Sequence, residues 1–313
     1  MTDRAVIPPR VRRGDVIGVC APAGPIREDR LRAGLARLGD AFRVRVTPAV
    51  TAPRPPGVPA YLAADDDTRA AELTGLLADP DVRAIVLARG GYGLMRILPR
   101  LDPELLRRDP KPIVGFSDAT ALLAWAHAAA GVRGIHGPMI GQLGELGDDD
   151  AAALVTLMTE PRAPGRRPWA LAGHGTGTVR GHLVPANLTL VSVLVATPWQ
   201  LPLAGAIALL EEIGERPYEL DRYLTHLMLT AQLAQLRGVV LGDLTRCWDP
   251  PPAAPTPAGA LATVLERFAT AGVPVAVGAP VGHGHRNEAV PFGAACALDL
   301  DAGTLDILDA AVA

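Results

Sequence analysis

The feature that most constrains this 313-residue chain is the alternation of short apolar runs with helical periodicity along its first half. "DVIGVCAPAG" reads as a buried strand entering a Pro/Gly loop, and "EDRLRAGLARLGD" carries leucines at helical spacing up to Gly39. "FRVRVTPAV" alternates at period two, "DDDTRAAELTGLLADP" is an acid-started helix, "VRAIVLARGGYG" is a third strand and "PIVGFSD" a fourth. Acids in a first turn complement the helix dipole, and the two periods tell helix from strand. Strands alternating with helices predict a doubly wound, mostly parallel sheet covered on both faces. Ligands of such sheets bind beyond the carboxyl ends of the strands, where both "RGGYG" and "GFSD" fall.

The pattern breaks over 161–180, "PRAPGRRPWALAGHGTGTVR", which is rich in Pro, Gly and Arg. This stretch reads as a linker and divides an N-terminal α/β domain, 1–165, from a C-terminal domain, 166–313. The second half offers strands in "AIALLEEIGE", "RGVVLGDL" and "VPVAVGAPVGHGH", with helices in "PYELDRYLTHLMLTAQL" and "ALATVLERFATAG". Its tail, "VPFGAACALDLDAGTLDILD", reads as a β-hairpin turning at Asp-Ala-Gly, so a mixed α/β domain with a β-rich end is expected. Residues 183–210 hold no formal charge but are interrupted by Pro185, Pro198 and Pro202. A spanning helix needs ~20 continuous apolar residues, so a buried helix followed by a buried strand is expected instead of a membrane span.

Charge and cysteine usage exclude several classes of function. The 30 Lys+Arg against 33 Asp+Glu leave a net charge of −3 and no basic footprint for nucleic acid. The three cysteines, Cys20, Cys247 and Cys296, show neither zinc-like spacing nor a disulfide framework. The N-terminus, "MTDRAVIPPRVRRGDVIGVC", lacks the apolar core of a secretory signal, so a cytoplasmic location is expected.

Chemistry concentrates at "KPIVGFSDATALLAWAHAAAG", where a strand gives way to an alanine-rich helix with Ser117 at the junction. Small Gly115 and Ala119 on either side suit a sharp strand–turn–helix elbow that exposes a hydroxyl. Serine is equally a good helix N-cap. A nucleophilic serine needs a base, and the base an orienting acid. Among seven histidines, His127 and His226 sit on helices, His174 and His182 flank the linker, and His136 ends a strand in "GIHGPM". His283 and His285, in "PVGHGHRNEAVPFG", have small neighbours that free an imidazole to enter a cleft. Two histidines two apart also fit a metal motif, yet no carboxylate or thiolate cluster accompanies them. Glu211 and Glu212 stand where the apolar run "AGAIALL" ends, a rigid place for an orienting acid or merely a solvent-facing strand exit.

The elbow "VGFSDATALL", the strand end "EEIGERPYELDRYLTHL" and the turn "GHGHRNEAVPFG", together with "RGGYG" and "HGPM", resemble the LD-carboxypeptidase family of serine peptidases, of the S66 type. The resemblance runs from "GDVIGVCAPAGPI" to the final hairpin. It implies hydrolysis of the bond between an L-centre and a terminal D-amino acid in cytoplasmic muropeptides. One branch of the family instead cleaves peptide–nucleotide antibiotics of the microcin C type.

By position, the resemblance implies Ser117 as nucleophile and Glu211 as acid, with Glu212 standing where the family has Asp. It implies His283 as base, eight residues before the Pro291 of "Pro-x-Gly", with His285 as a neighbour. Backbone N–H groups of Gly91 and Asp118 would form the oxyanion hole, and Gly90, Tyr92, His136 and His285 are candidates to line the substrate site. The expected site lies in the inter-domain cleft, takes a small peptide or peptide–nucleotide, and needs no metal or organic cofactor. A homodimer is implied as well. Two departures bear on the substrate: Pro185-Ala186-Asn187 replaces the usual Gly-Gly-Asn, and Ala196-Thr197-Pro198 replaces Gly-Thr-Pro. An α/β-hydrolase esterase shares the order serine, acid, histidine, and a ligand-binding protein could grip an anion with "RGGYG"; these are the rival readings.

Overall fold

The computed structural model describes residues 5–248 and 257–313, so the first four residues of the N-terminal stretch lie outside the described residues. The chain forms two compact units. One runs to Arg162 and takes back Glu288–Phe292 and Ala310–Ala313; the other holds Ala163–Asn287 and Gly293–Asp309.

The first unit is built on β1 (Val16–Cys20), β2 (Arg43–Val46), β3 (Val82–Leu87), β4 (Ile113–Gly115), β5 (Ile135–His136) and β12 (Val290–Pro291). They form one sheet in the order β12-β5-β4-β3-β1-β2. All neighbours run parallel except β12, which is antiparallel to β5. Central β1 is buried along its whole length, as expected of a strand covered on both faces, whereas edge β2 exposes Arg43 and Arg45. Ile17, Val19, Val86 and Val114 pack with Leu31, Ile140 and Leu154 in one core. The helix Asp66–Ala78 starts at Asp65, whose carboxylate accepts the Thr68 N–H at 2.8 Å. Its far end is closed by the buried Lys111 ammonium, which donates to Leu77 O at 3.0 Å and Asp79 O at 2.9 Å and pairs with Asp109. Lys111 lies two residues before β4, so this anchor also sets where the strand leading to Ser117 begins.

The second unit holds β6 (Gly165–Arg166), β7 (Ala172–His174), β8 (Thr178–Asn187), β9 (Ala206–Ile213), β10 (Gly238–Thr245), β11 (Val275–Val277), β13 (Ala295–Asp299) and β14 (Thr304–Ile307). Their order is β6-β14-β13-β8-β9-β10-β11-β7. The middle, β8 to β11, is parallel and the flanks are antiparallel. Both units are therefore α/β with mixed sheets, and the hairpin β13–β14 supplies the expected β-rich end.

Three local expectations need correction. Residues 161–180 are no bare linker, since β6, β7 and the start of β8 lie within them. Residues 183–187 form strand, not helix; the helix is only Leu188–Val193. Pro185 is tolerated there because β13 pairs β8 only over Thr178–His182, so the ladder on that side has ended before it. The tail hairpin also starts later than its sequence suggests, because Val290 and Pro291 pair with β5 of the first sheet. Among the described residues, no helix is long and apolar enough to cross a membrane.

Candidate active site

Ser117 directly follows Phe116 at the carboxyl end of β4, with φ of 61°, a left-handed conformation that a non-glycine residue adopts only under constraint. The constraint is visible on both sides. A Cβ at Gly115 would come 2.6 Å from Ala119 Cβ, so the small pair lets the chain fold back on itself beneath the serine. A Cβ at Gly90 would sit 3.3 Å from Ser117 Oγ. Every residue from 111 to 126 is buried except Ser117, which is partly accessible. The N-cap alternative falls: a short 3₁₀ turn starts after Phe116 and the helix Thr120–Ala128 after Ala119, so Ser117 caps neither.

The glycine turn after β3 is pinned from several sides within the same unit. Gly90 O accepts the Gly24 N–H at 3.0 Å, and Gly93 O accepts from the fully buried Arg69 guanidinium at 3.1 Å. The Leu94 N–H donates to the Asp118 carboxylate at 3.0 Å. Burial pushes the Asp118 carboxyl up to about 6, against the pull of that hydrogen bond and of Arg69. Asp118 thus ties the residue after the serine to the end of the glycine turn. Gly91 has φ of 106° and is exposed, and the half-exposed Tyr92 ring meets Tyr61 edge-on at 5.8 Å. His136 is fully buried, paired with Gly115 across β4–β5, with its ring 6.0 Å from Phe116.

In the second unit the structure separates the two glutamates by strand pleat. Adjacent residues of a strand point to opposite faces. Glu212 turns to the start of the Leu188–Val193 helix, accepting from Asn187 Nδ2, Thr189 N and Thr189 Oγ1 at 2.8, 2.8 and 2.7 Å. Glu211, with no exposed surface, accepts the His283 Nδ1 proton at 2.6 Å. A carboxylate can only accept, so Nδ1 carries the proton and Nε2 is left with its lone pair. Burial disfavours the imidazolium. The charge and hydrogen bond of Glu211, then Glu212 and Asp243, outweigh it and hold the His283 pKa above the ordinary histidine value.

Gly282 makes this approach possible. Its φ is 133°, and a Cβ there would lie 2.9 Å from Glu211 Cβ. His285 is exposed, two residues further along the loop. Among the described residues, no group of three or more His, Cys, Asp or Glu is placed to hold a metal. His226 bonds Ser192 at 2.9 Å and His182 bonds Pro202 O at 2.8 Å, which accounts for two further histidines structurally.

Of the two departures, Ala196 has a local consequence: it occupies φ of 62°, where glycine would be unstrained. Asn187, which the departure at 185–186 leaves in place, caps its helix by accepting the Leu190 N–H at 3.2 Å. Sequence reasoning missed Arg69 and Asp243. Asp243 is a lone charge in an apolar strand pattern and Arg69 follows three aspartates in an acid-started helix, and no spacing rule distinguishes either from a surface charge.

Comparison with known proteins identifies the family. The model of the LD-carboxypeptidase N-terminal domain matches residues 17–137, and that of the C-terminal domain matches 180–298. A Bacillus subtilis protein named "Probable murein peptide carboxypeptidase" is 31% identical over 306 residues, covering 93% of this chain and 91% of its own. The structure of muramoyltetrapeptide carboxypeptidase from Oxalobacter formigenes gives a TM-score of 0.80 at 26% identity, over 94% of this chain and 99% of that one. A structure of MccF in complex with glutamyl sulfamoyl guanosine gives 0.86 at 22% identity, over 98% and 99%, a likeness of fold. With two domain models matched in order along most of its length, the chain belongs to the LD-carboxypeptidase family of serine-type hydrolases.

Proposed function

We propose that Ser117, His283 and Glu211 act as one catalytic triad that releases a terminal D-amino acid from muropeptides. The 2.6 Å bond between His283 Nδ1 and the buried Glu211 carries the reading, because it prepares an imidazole as base and fixes its tautomer. His283 Nε2 takes the Ser117 proton as Oγ attacks the carbonyl of the L-centre residue. The tetrahedral oxyanion is met by the N–H groups of Gly91 and Asp118, donors supplied by a glycine turn and a helix start. His283 then returns the proton to the leaving amine, and water hydrolyses the acyl-enzyme by the same route. Tyr92 with its neighbour Tyr61, Gly90 and His285 border the substrate in this reading, while buried His136 supports the elbow from below.

The muropeptide substrate is favoured over a peptide–nucleotide by kinship. The Bacillus subtilis protein named "Probable murein peptide carboxypeptidase" is 31% identical over 93% of this chain, whereas the Microcin C7 self-immunity protein MccF of Escherichia coli is 26% identical over 77% of it. In this proposal a homodimer carries out the reaction in the cytoplasm, on wall fragments being recycled. Purified protein should release D-alanine from a murein tetrapeptide and leave an aminoacyl sulfamoyl nucleoside intact. The opposite pattern would transfer the assignment to antibiotic detoxification. Activity on neither, together with no labelling of Ser117 by a serine-directed phosphonate, would favour a ligand-binding role.

A further inference from the structure

We propose that Asp243 is a positioning residue for His283, a role that rests on the triad reading and deepens it. Asp243 lies on β10, beside the strand that bears Glu211, and the β9–β10 register slips between Leu241 and Leu244. Such a bulge re-aims a side chain near a functional site. Freed from β9, the Asp243 N–H pairs with Val281 O at 2.9 Å, on the loop that carries the histidine. The Asp243 carboxylate then accepts the Gly284 N–H at 2.9 Å, so both backbone and side chain of one residue grip the loop on either side of His283.

The two glycines flanking His283 answer to the same residue. A Cβ at Gly282 would lie 3.1 Å from Asp243 Cβ, and one at Gly284 would overlap the Asp243 carboxylate. The loop therefore cannot close over β9 and β10 with any larger residue at 284 while the clamp is in place. The charge matters as well as the grip. The charged groups acting on His283 are Glu211 and Glu212 from β9 and Asp243 from β10. His285, on the same loop, acts in turn on Asp243. Glu211 fixes the ring by direct contact. Asp243 fixes the backbone that carries it and adds a further negative charge to those of Glu211 and Glu212.

Asp243→Asn and Asp243→Ala separate grip from charge. The Asn variant keeps an acceptor for Gly284 N–H but removes the charge. It should keep kcat near wild type above the titration, while the His283 pKa, read by imidazole NMR, falls by on the order of half a pH unit. The Ala variant should show the same fall and lose kcat by about 10–100-fold with KM little changed. Gly284→Ala, which displaces the carboxylate, should resemble the Ala variant. A folded Asp243→Ala enzyme with unchanged kcat, or an unmoved His283 titration in both Asp243 variants, would overturn the proposal. The NMR titration is independent of turnover. An active His283→Ala enzyme would sink the triad reading while that titration still decided whether Asp243 acts on the ring.

Discussion

The Ser117 elbow and the His283 loop are both sharp turns at the ends of parallel strands, yet they are held by different forces. The elbow is held by steric fit: a left-handed serine, Gly115 against Ala119, and Gly90 against the hydroxyl. The histidine loop is held by charge: Glu211 on the ring and Asp243 on the backbone beside it. A steric device fails when volume is added and is indifferent to pH. An electrostatic device tolerates isosteres but responds to every charge removed. This contrast predicts different signatures for damage on the two sides.

The largest effect is expected at the proposed triad itself. Ser117→Ala should lower kcat by on the order of 10⁴–10⁶ without loss of fold, since a triad acts as a unit. More than a tenth of wild-type turnover in this variant would remove the elbow from the chemistry. His283→Ala should be as damaging, while exposed His285→Ala should stay within a few-fold of wild type. The reverse ranking would exchange the two histidines.

Glu211→Gln should cost about 10⁴ in kcat, as loss of the orienting charge does in related triads. It also sharpens the contrast through pH. In the proposed triad neutral imidazole is the active form, so kcat/KM should rise with pH through the His283 ionisation. Glu211 raises that pKa, so its removal should shift the limb to lower pH. EDTA should leave both profiles unchanged. A limb that did not move would return the acid role to Glu212 or another group.

Gly90→Ala tests the steric side. The added methyl presses on Ser117 Oγ and Met139 Cε, 3.3 and 3.1 Å away. Misplacement of the nucleophile should cost about 10²-fold in kcat, with the pH limb where it was in wild type. A shifted limb here would show that the two sides are not separable.

The smallest effect concerns stability at Asp118. Its folded pKa is raised to about 6, so its contribution to stability is complete below the ordinary carboxylate value and is lost as pH rises through about 6. Asp118→Asn keeps an acceptor for Leu94 N–H but cannot titrate. The stability difference between wild type and variant, from denaturant melts at pH about 4 and about 7, should therefore move in the variant's favour at the higher pH. A difference independent of pH would place the Asp118 carboxyl in ordinary solvent-like surroundings.

Much of the fold and the elbow is legible in the amino-acid sequence because it is local. Alternating periods mark the sheets and helices, and Gly115 and Ala119 mark the elbow by size alone. Small residues at i±2 of a serine have a consequence that no distant contact needs to supply. The strand at 183–187, where a helix is expected, shows the limit. "LVPAN" holds too few residues to display a period, and its state is set by pairing with β9, Leu183 opposite Ile207 and Asn187 opposite Glu211.

Periodicity and side-chain size within a few residues thus suffice for the class of both sheets and for the Ser117 elbow. Long-range pairing selects which of two adjacent glutamates meets the histidine, because strand pleat sends Glu211 and Glu212 to opposite faces only once β9 has a fixed register. The same pairing lets Asp243 grip the histidine loop, since a bulge between Leu241 and Leu244 has no signature apart from the strand it fails to pair with. Facing and register are properties of paired strands distant in sequence, and no single segment contains them.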